Sequence, residues 1–134
     1  MRITIDTNLL VRIVVGDDIA QTESAVRVLE QAESVAIPLP CLCELVWVLG
    51  RAYSLPKDKI ALSLRAIIER KNVSVDTFGV AAGLQLLEAG GDFVDGAIAA
   101  SGVSMGGETF VSFDRKAVAQ VAAVGLSARH AGEF

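Results

Sequence analysis

ITIDTNLL, Ile3 to Leu10, places an acid, a hydroxyl and an amide in the middle of an otherwise apolar run. Ile3, Thr4 and Ile5 are β-branched and favour extended backbone. Asp6, Thr7 and Asn8 interrupt, and Leu9, Leu10 and Val11 then resume. The stretch predicts a strand RITI (2–5) that stops at Asp6 and a helix from about Asn8 to Val15, ended by Gly16-Asp17-Asp18. A strand that passes directly into a helix is half of a βα unit.

It recurs throughout. From Ile19 to Glu33 the apolar residues Ala25, Val28, Leu29 and Ala32 follow helical spacing, and SVAIP (34–38) reads as a strand. Pro40 opens a third helix, running to about Tyr53. PKDKIALSLRAIIERK (56–71) is a fourth, with Ile60, Leu64, Ile67 and Ile68 on one stripe. VSV (73–75) is a strand, and Asp76-Thr77 caps a helix to about Ala89. Gly90-Gly91 breaks the chain, a further helix begins near Asp92, and TFVSF (109–113) is the last clear strand. Alternation of this kind predicts a single α/β domain over residues 1–134, a three-layer α/β/α sandwich with a central, mostly parallel sheet.

Bulk composition agrees. A chain of 134 residues lies in the single-domain range. Hydrophobic residues make up 52% but aromatics only 5%, so Ala, Val, Leu and Ile must fill the core. No apolar run approaches the roughly 20 residues that span a bilayer, and Met-Arg-Ile-Thr does not begin a signal peptide. Cys41 and Cys43, two apart in an apolar segment, are expected to be small buried hydrophobes rather than a cross-link, which places the protein in a reducing cytoplasm. The net charge of −4 argues against coating nucleic acid by bulk positive charge. It leaves room for a local basic rim.

In parallel sheets, sites form at the carboxyl ends of the strands. Asp6 follows the first strand and Asp114 follows TFVSF; if those strands are neighbours, both carboxylates emerge on one edge. Alternatively each caps the helix behind it, since Asp is a favoured N-cap. Glu44 stands in the apolar segment CLCELVWVLG, where an unpaired buried carboxylate is costly, and so needs a partner or a wet cleft; a polar stripe shared with Arg51 is the other reading. Asp92 and Asp95 lie one helical turn apart and share a face, or serve as cap and first-turn acid. Carboxylates gathered from four segments would repel and raise one another's pKa values unless neutralised. Mg²⁺ and Mn²⁺ prefer such oxygen donors and can deliver hydroxide to a phosphodiester.

The order I-D-T-N at residue 6, a Glu in an apolar helix at 44, D-F-V-D-G-A-I-A-A at 92–100 and S-F-D at 112–114 resembles the PIN-domain ribonucleases, and more narrowly the VapC toxins of type II toxin–antitoxin pairs. The resemblance covers essentially the whole chain. It implies that Asp6, Glu44, Asp95 and Asp114 form an acidic quartet holding Mg²⁺ or Mn²⁺, with Asn8, Asp92 and Ser112 in supporting positions. In this reading Asp6 is a metal ligand at the strand's end, Asn8 fixes its carboxylate or a bound water, and Thr7 caps the helix. Gly96 departs from the Ala more usual there, which is expected only to weaken the helix start slightly. The tail GLSARHAGEF matches no pattern used here. A homodimer and a small antitoxin whose C-terminal segment occupies the cleft are also implied.

The expected activity is metal-dependent hydrolysis of RNA. An acidic cleft repels phosphates, so cations must meet them: Arg12, Arg51, Arg115 and Lys116 are the candidates, against the alternative of a solvated charged surface. Trp47 and Tyr53 are expected in the core. Gly102-Val103-Ser104-Met105-Gly106 matches G-x-S-x-G, and Asp114 and His130 complete the chain order of a hydrolase triad, but a nucleophile elbow needs a strand before it and here a helix precedes. Cys41, Cys43 and His130 are too few for a zinc site, and His130 is expected at the surface. Two readings compete with a nuclease: a Mg²⁺-binding phosphoacceptor domain, for which Asp76 would be the acceptor, and an inactive PIN-fold module that only binds RNA or protein.

Overall fold

A computed structural model describes every residue from Met1 to Phe134 and divides into two compact units, Met1–Val75 and Asp76–Phe134. In the first, β1 (Arg2–Thr4), β2 (Ser34–Ala36) and β3 (Val73–Ser74) form a parallel sheet in that order. Ile3 stands opposite Val35, and Val35 opposite Val73. Parallel neighbours need long crossovers, supplied here by α1 (Thr7–Val15), α2 (Ile19–Gln31), α3 (Leu39–Arg51) and α4 (Lys57–Ile68). Leu10, Val35, Leu42, Leu45, Leu49 and Leu64 lose all contact with water, each such side chain contributing about 1.5–3 kcal/mol.

Local chemistry sets the ends of these helices. Asp6 caps α1 by accepting from Leu9 N at 3.2 Å, and Asp18 caps α2 by accepting from Gln21 N at 3.0 Å. Gly16 ends α1 in the left-handed conformation, φ 67°, with its N–H on the Arg12 carbonyl. Thr7 is therefore not the cap expected from the sequence. It is the first helical residue, and its hydroxyl is turned elsewhere.

The second unit contains α5 (Thr77–Glu88), α6 (Phe93–Ser104), β4 (Phe110–Ser112), α7 (Arg115–Ala123), β5 (Ala128–His130) and a 3-10 turn, Ala131–Glu133. Strands β4 and β5 pair in parallel, with Ser112 opposite His130. Leu86, Ala99 and Val121 are the buried centre of their packing, joined by Phe110, Val124, Leu126 and Ala128. Between α5 and α6 the approach is closer than side chains allow. A Cβ on Gly96 would lie 2.5 Å from the Ala82 carbonyl oxygen, and one on Gly83 would lie 2.6 Å from the Phe93 ring. Gly96 is thus a packing requirement rather than a mild weakness at a helix start.

The chain has the α/β class and parallel pairing expected, with two differences. Strand β1 pairs with β2 and strand β4 with β5, in two separate sheets, so the direct pairing invoked to bring Asp6 and Asp114 to one edge is not formed. Strand β5 (Ala128–His130) is not among the elements expected from the sequence. Its signal was present in Leu126, Ala128 and His130, which alternate with Ser127 and Arg129. No helix is long and apolar enough to cross a membrane.

Candidate active site

In the Met1–Val75 unit, Asp6 lies just past β1, exposed, with one carboxylate oxygen committed to its cap. Glu44 is exposed on α3. It lies on the polar stripe shared with Arg51, the second of the two readings open to it, because the apolar segment wraps helically and Leu42, Leu45, Val46 and Leu49 take the inner face while Glu44, Trp47 and Arg51 share the outer one. Trp47 is 58% exposed, not core, and the Arg51 guanidinium sits over its ring at 5.9 Å.

Cys41 connects the two acids. It lies one turn before Glu44 on α3, is buried, and accepts a hydrogen bond from the Thr7 hydroxyl at 3.6 Å. Burial pushes its thiol pKa up, the Thr7 hydrogen bond opposes this, and the negative charges of Asp6 and Glu44 act in the same direction as burial. Both carboxylates therefore stand close enough to Cys41 for their fields to be felt. Cys43 is only half-buried. Asn8 is exposed on the first turn of α1 and helps line a cleft of about 370 Å³ between α1 and α2, with Leu9, Arg12, Gln21, Ser24 and Val28. That cleft includes neither acid.

Arg12 has a different employment from the one expected. Its guanidinium bonds Asp17 at 2.8 Å and the Tyr53 hydroxyl at 3.1 Å, and Tyr53 in turn donates to Asp17 at 3.3 Å. The triad ties the end of α1 to the chain beyond α3, with the charge of Arg12 already matched. Tyr53 is half-buried in this network.

In the Asp76–Phe134 unit, Asp92 caps α6 by accepting from Val94 N at 2.9 Å, and Asp114 caps α7 by accepting from Ala117 N at 3.1 Å. The capping reading is thus true of Asp6, Asp92 and Asp114, and in each the Oδ1 atom makes the bond. Their Oδ2 atoms retain acceptor capacity. Ser112 Oγ accepts from Asp114 N at 3.0 Å and fixes the turn out of β4. Asp95, in the first turn of α6, is half-buried; burial raises its pKa, and the charges of Asp92 and then Asp114 raise it further. Arg115 and Lys116 are exposed beside Asp114. The ion pairs Arg2–Glu33, Arg12–Asp17 and Arg129–Glu133 involve none of these acids.

His130, expected at the surface, is half-buried and doubly bonded. Gly132 N donates to its Nδ1 at 3.0 Å, so Nε2 carries the proton and donates to the Phe113 carbonyl at 2.9 Å. The G-x-S-x-G stretch forms the end of α6, where Ser104 Oγ bonds the Ala100 carbonyl at 3.4 Å. Asp76 caps α5 through Gly79 N at 3.1 Å.

Carboxylate oxygens suit a hard divalent cation. No three His, Cys, Asp or Glu side chains are grouped so as to hold an ion by themselves; the acids influence one another electrostatically, Asp6 and Glu44 both acting on Cys41 and Asp92 and Asp114 both acting on Asp95.

No match was found among curated proteins. Among solved structures, the crystal structure of Mycobacterium tuberculosis VapC20, described as a Sarcin-Ricin loop cleaving toxin, is similar at 20% identity over 92% of this chain and 95% of that one, with a TM-score of 0.43. Residues 3–124, running from β1 through α7 and so including every one of the candidate acids, match the PIN domain family. The chain belongs to the PIN domain family.

Proposed function

We propose that this PIN domain is a Mg²⁺- or Mn²⁺-dependent endoribonuclease, the toxin of a toxin–antitoxin pair, with Asp6, Glu44, Asp95 and Asp114 as its catalytic and metal-binding acids. The observation that carries the reading is the PIN-family match over residues 3–124, which spans all four acids. Burial and two neighbouring carboxylates raise the pKa of Asp95, so its charge stands to gain from a cation. Groups perturbed in this way concentrate at functional sites.

Asp6, Glu44, Asp95 and Asp114 would hold the Mg²⁺ or Mn²⁺, whose chemistry would be to make a water more acidic and to offset charge developing on a phosphodiester. The chain's own residues do the positioning. Asp6 and Asp114 are each held by a cap bond through Oδ1, which aims Oδ2 without need of further ordering. Ser112 fixes the backbone that carries Asp114. Asp92 fixes the start of α6 and adds negative charge beside Asp95, and Asn8 stands two residues beyond Asp6. Exposed Arg51, Arg115 and Lys116 meet phosphates. Arg12 is already paired with Asp17 and bonded to Tyr53, so phosphate contact is assigned first to the other three.

RNA as substrate, a cognate antitoxin and a homodimer follow from the likeness of the motif order to VapC toxins. The test is cleavage of a mixed cellular RNA pool with Mg²⁺ or Mn²⁺, with EDTA, and with Asp6→Asn and Asp95→Asn. Metal-dependent fragments that vanish in EDTA and fall roughly hundredfold or more in both variants are expected. Equal cutting by the variants, or no cutting by the wild type under any condition, overturns the reading.

A further inference from the structure

We propose that Phe113 is a stacking platform for a base of the RNA strand held at Asp114, an inference that rests on the nuclease reading. Phe113 lies between Ser112 and Asp114 and is 81% exposed. An isolated exposed apolar side chain is ordinary, but this one is held in place. The His130 Nε2–H bonds its carbonyl at 2.9 Å, and the His130 ring meets the Phe113 ring edge to face, with centroids 5.9 Å apart and planes at 85°. His130 is in turn fixed by Gly132 N and by its place opposite Ser112 in the β4–β5 pairing. One side chain therefore restrains both the backbone and the ring of Phe113.

An edge-to-face contact uses at most one face of an aromatic ring, and the exposure of Phe113 leaves the other in water. Phe134 makes the contrast: it is 78% exposed, yet the Arg129 guanidinium already covers its ring at 4.5 Å. A fixed ring loses little freedom on stacking. Aromatic rings set among cations are how proteins take up single-stranded RNA without demanding a sequence, and Arg115 and Lys116 follow directly after Asp114, both exposed.

The proposal is tested in the Asp6→Asn background by fluorescence anisotropy with a mixed-sequence single-stranded RNA, with inorganic polyphosphate as a base-free competitor. Phe113→Ala is expected to weaken RNA binding by roughly tenfold, while the competition by polyphosphate is unchanged. Phe113→Trp restores affinity and Phe113→Leu, of similar bulk without a π-face, does not. His130→Ala weakens RNA binding by a smaller factor, because the ring is then free to move. Unchanged RNA affinity in Phe113→Ala overturns the platform, as does an equal loss for RNA and polyphosphate or full rescue by Leu. If the wild type cleaves RNA and Phe113→Ala binds it equally well, only the platform falls. If the wild type neither binds nor cleaves RNA, the nuclease reading falls with it.

Discussion

In the Met1–Val75 unit the helices meet through aliphatic side chains, whereas in the Asp76–Phe134 unit α5 and α6 meet where glycines let backbone approach backbone. Leu10, Leu42, Leu45, Leu49 and Leu64 fill the first core, and Gly50 on α3 would accept a Cβ with an ordinary 3.8 Å contact to Ile60. In the second unit neither Gly83 nor Gly96 would. The acids follow the same division. Asp6 and Glu44 sit on separate elements connected through the Thr7–Cys41 bond, while Asp95 is set one residue before the glycine that presses α6 against α5. The comparison teaches that α6 can approach α5 this closely only because residues 83 and 96 carry no side chain, and that the half-buried Asp95 stands next to this contact in the chain.

Cavity formation should be the largest effect. Leu45→Ala is expected to cost about 2–5 kcal/mol, seen as a lowered denaturant midpoint, because Leu45 is fully buried and its truncation leaves a void. Next, Gly96→Ala is expected to cost about 1–3 kcal/mol by forcing α6 away from the Ala82 carbonyl. Gly50→Ala, the same change on a helix of the other unit, should instead gain about 0.5–1 kcal/mol. Equal losses at the two glycines would remove the distinction between the units.

A smaller effect tests the charge on Asp95. Folding raises its pKa, so the native state holds this proton more tightly than the unfolded chain does; its ionisation removes stability as pH climbs from the ordinary carboxylate range through the raised value. Asp95→Asn should therefore raise the melting temperature at neutral pH and flatten this part of the pH dependence. Added Mg²⁺ should stabilise the wild type more than the variant. A variant melting below the wild type at pH 7 would mean that the charge is already compensated. Smallest in the contrast is the effect of Asp114→Asn on stability, since Asn caps as well as Asp, while Asp114→Ala should cost about 1 kcal/mol through the lost bond to Ala117 N. Asn at the three capping acids thus separates charge from architecture.

Much of this was legible before the fold was known. Hydrophobic spacing located the helices, and Asp after a short strand marked the starts of α1 and α7, because a cap bond spans three residues and is written locally. The same locality concealed that Thr7, adjacent to the true cap, points at Cys41 on another helix. The apolar context of Glu44 was misleading for a related reason: a run of hydrophobic letters says nothing of which face each residue takes until the helix phase is fixed by its neighbours.

By itself, then, the sequence determined the alternation of strands and helices, the acids at their junctions and the membership of a family whose motif order it carries. These depend on interactions within one or two turns of chain. Tertiary structure alone decided that Gly96 must lack a side chain, that Glu44 and Trp47 face water, that Arg12 is occupied with Asp17 and Tyr53, and that His130 returns on β5 to hold Phe113 beside Asp114. Each of those is a contact or a surface set by segments distant in the chain, and no local periodicity encodes which segments will meet.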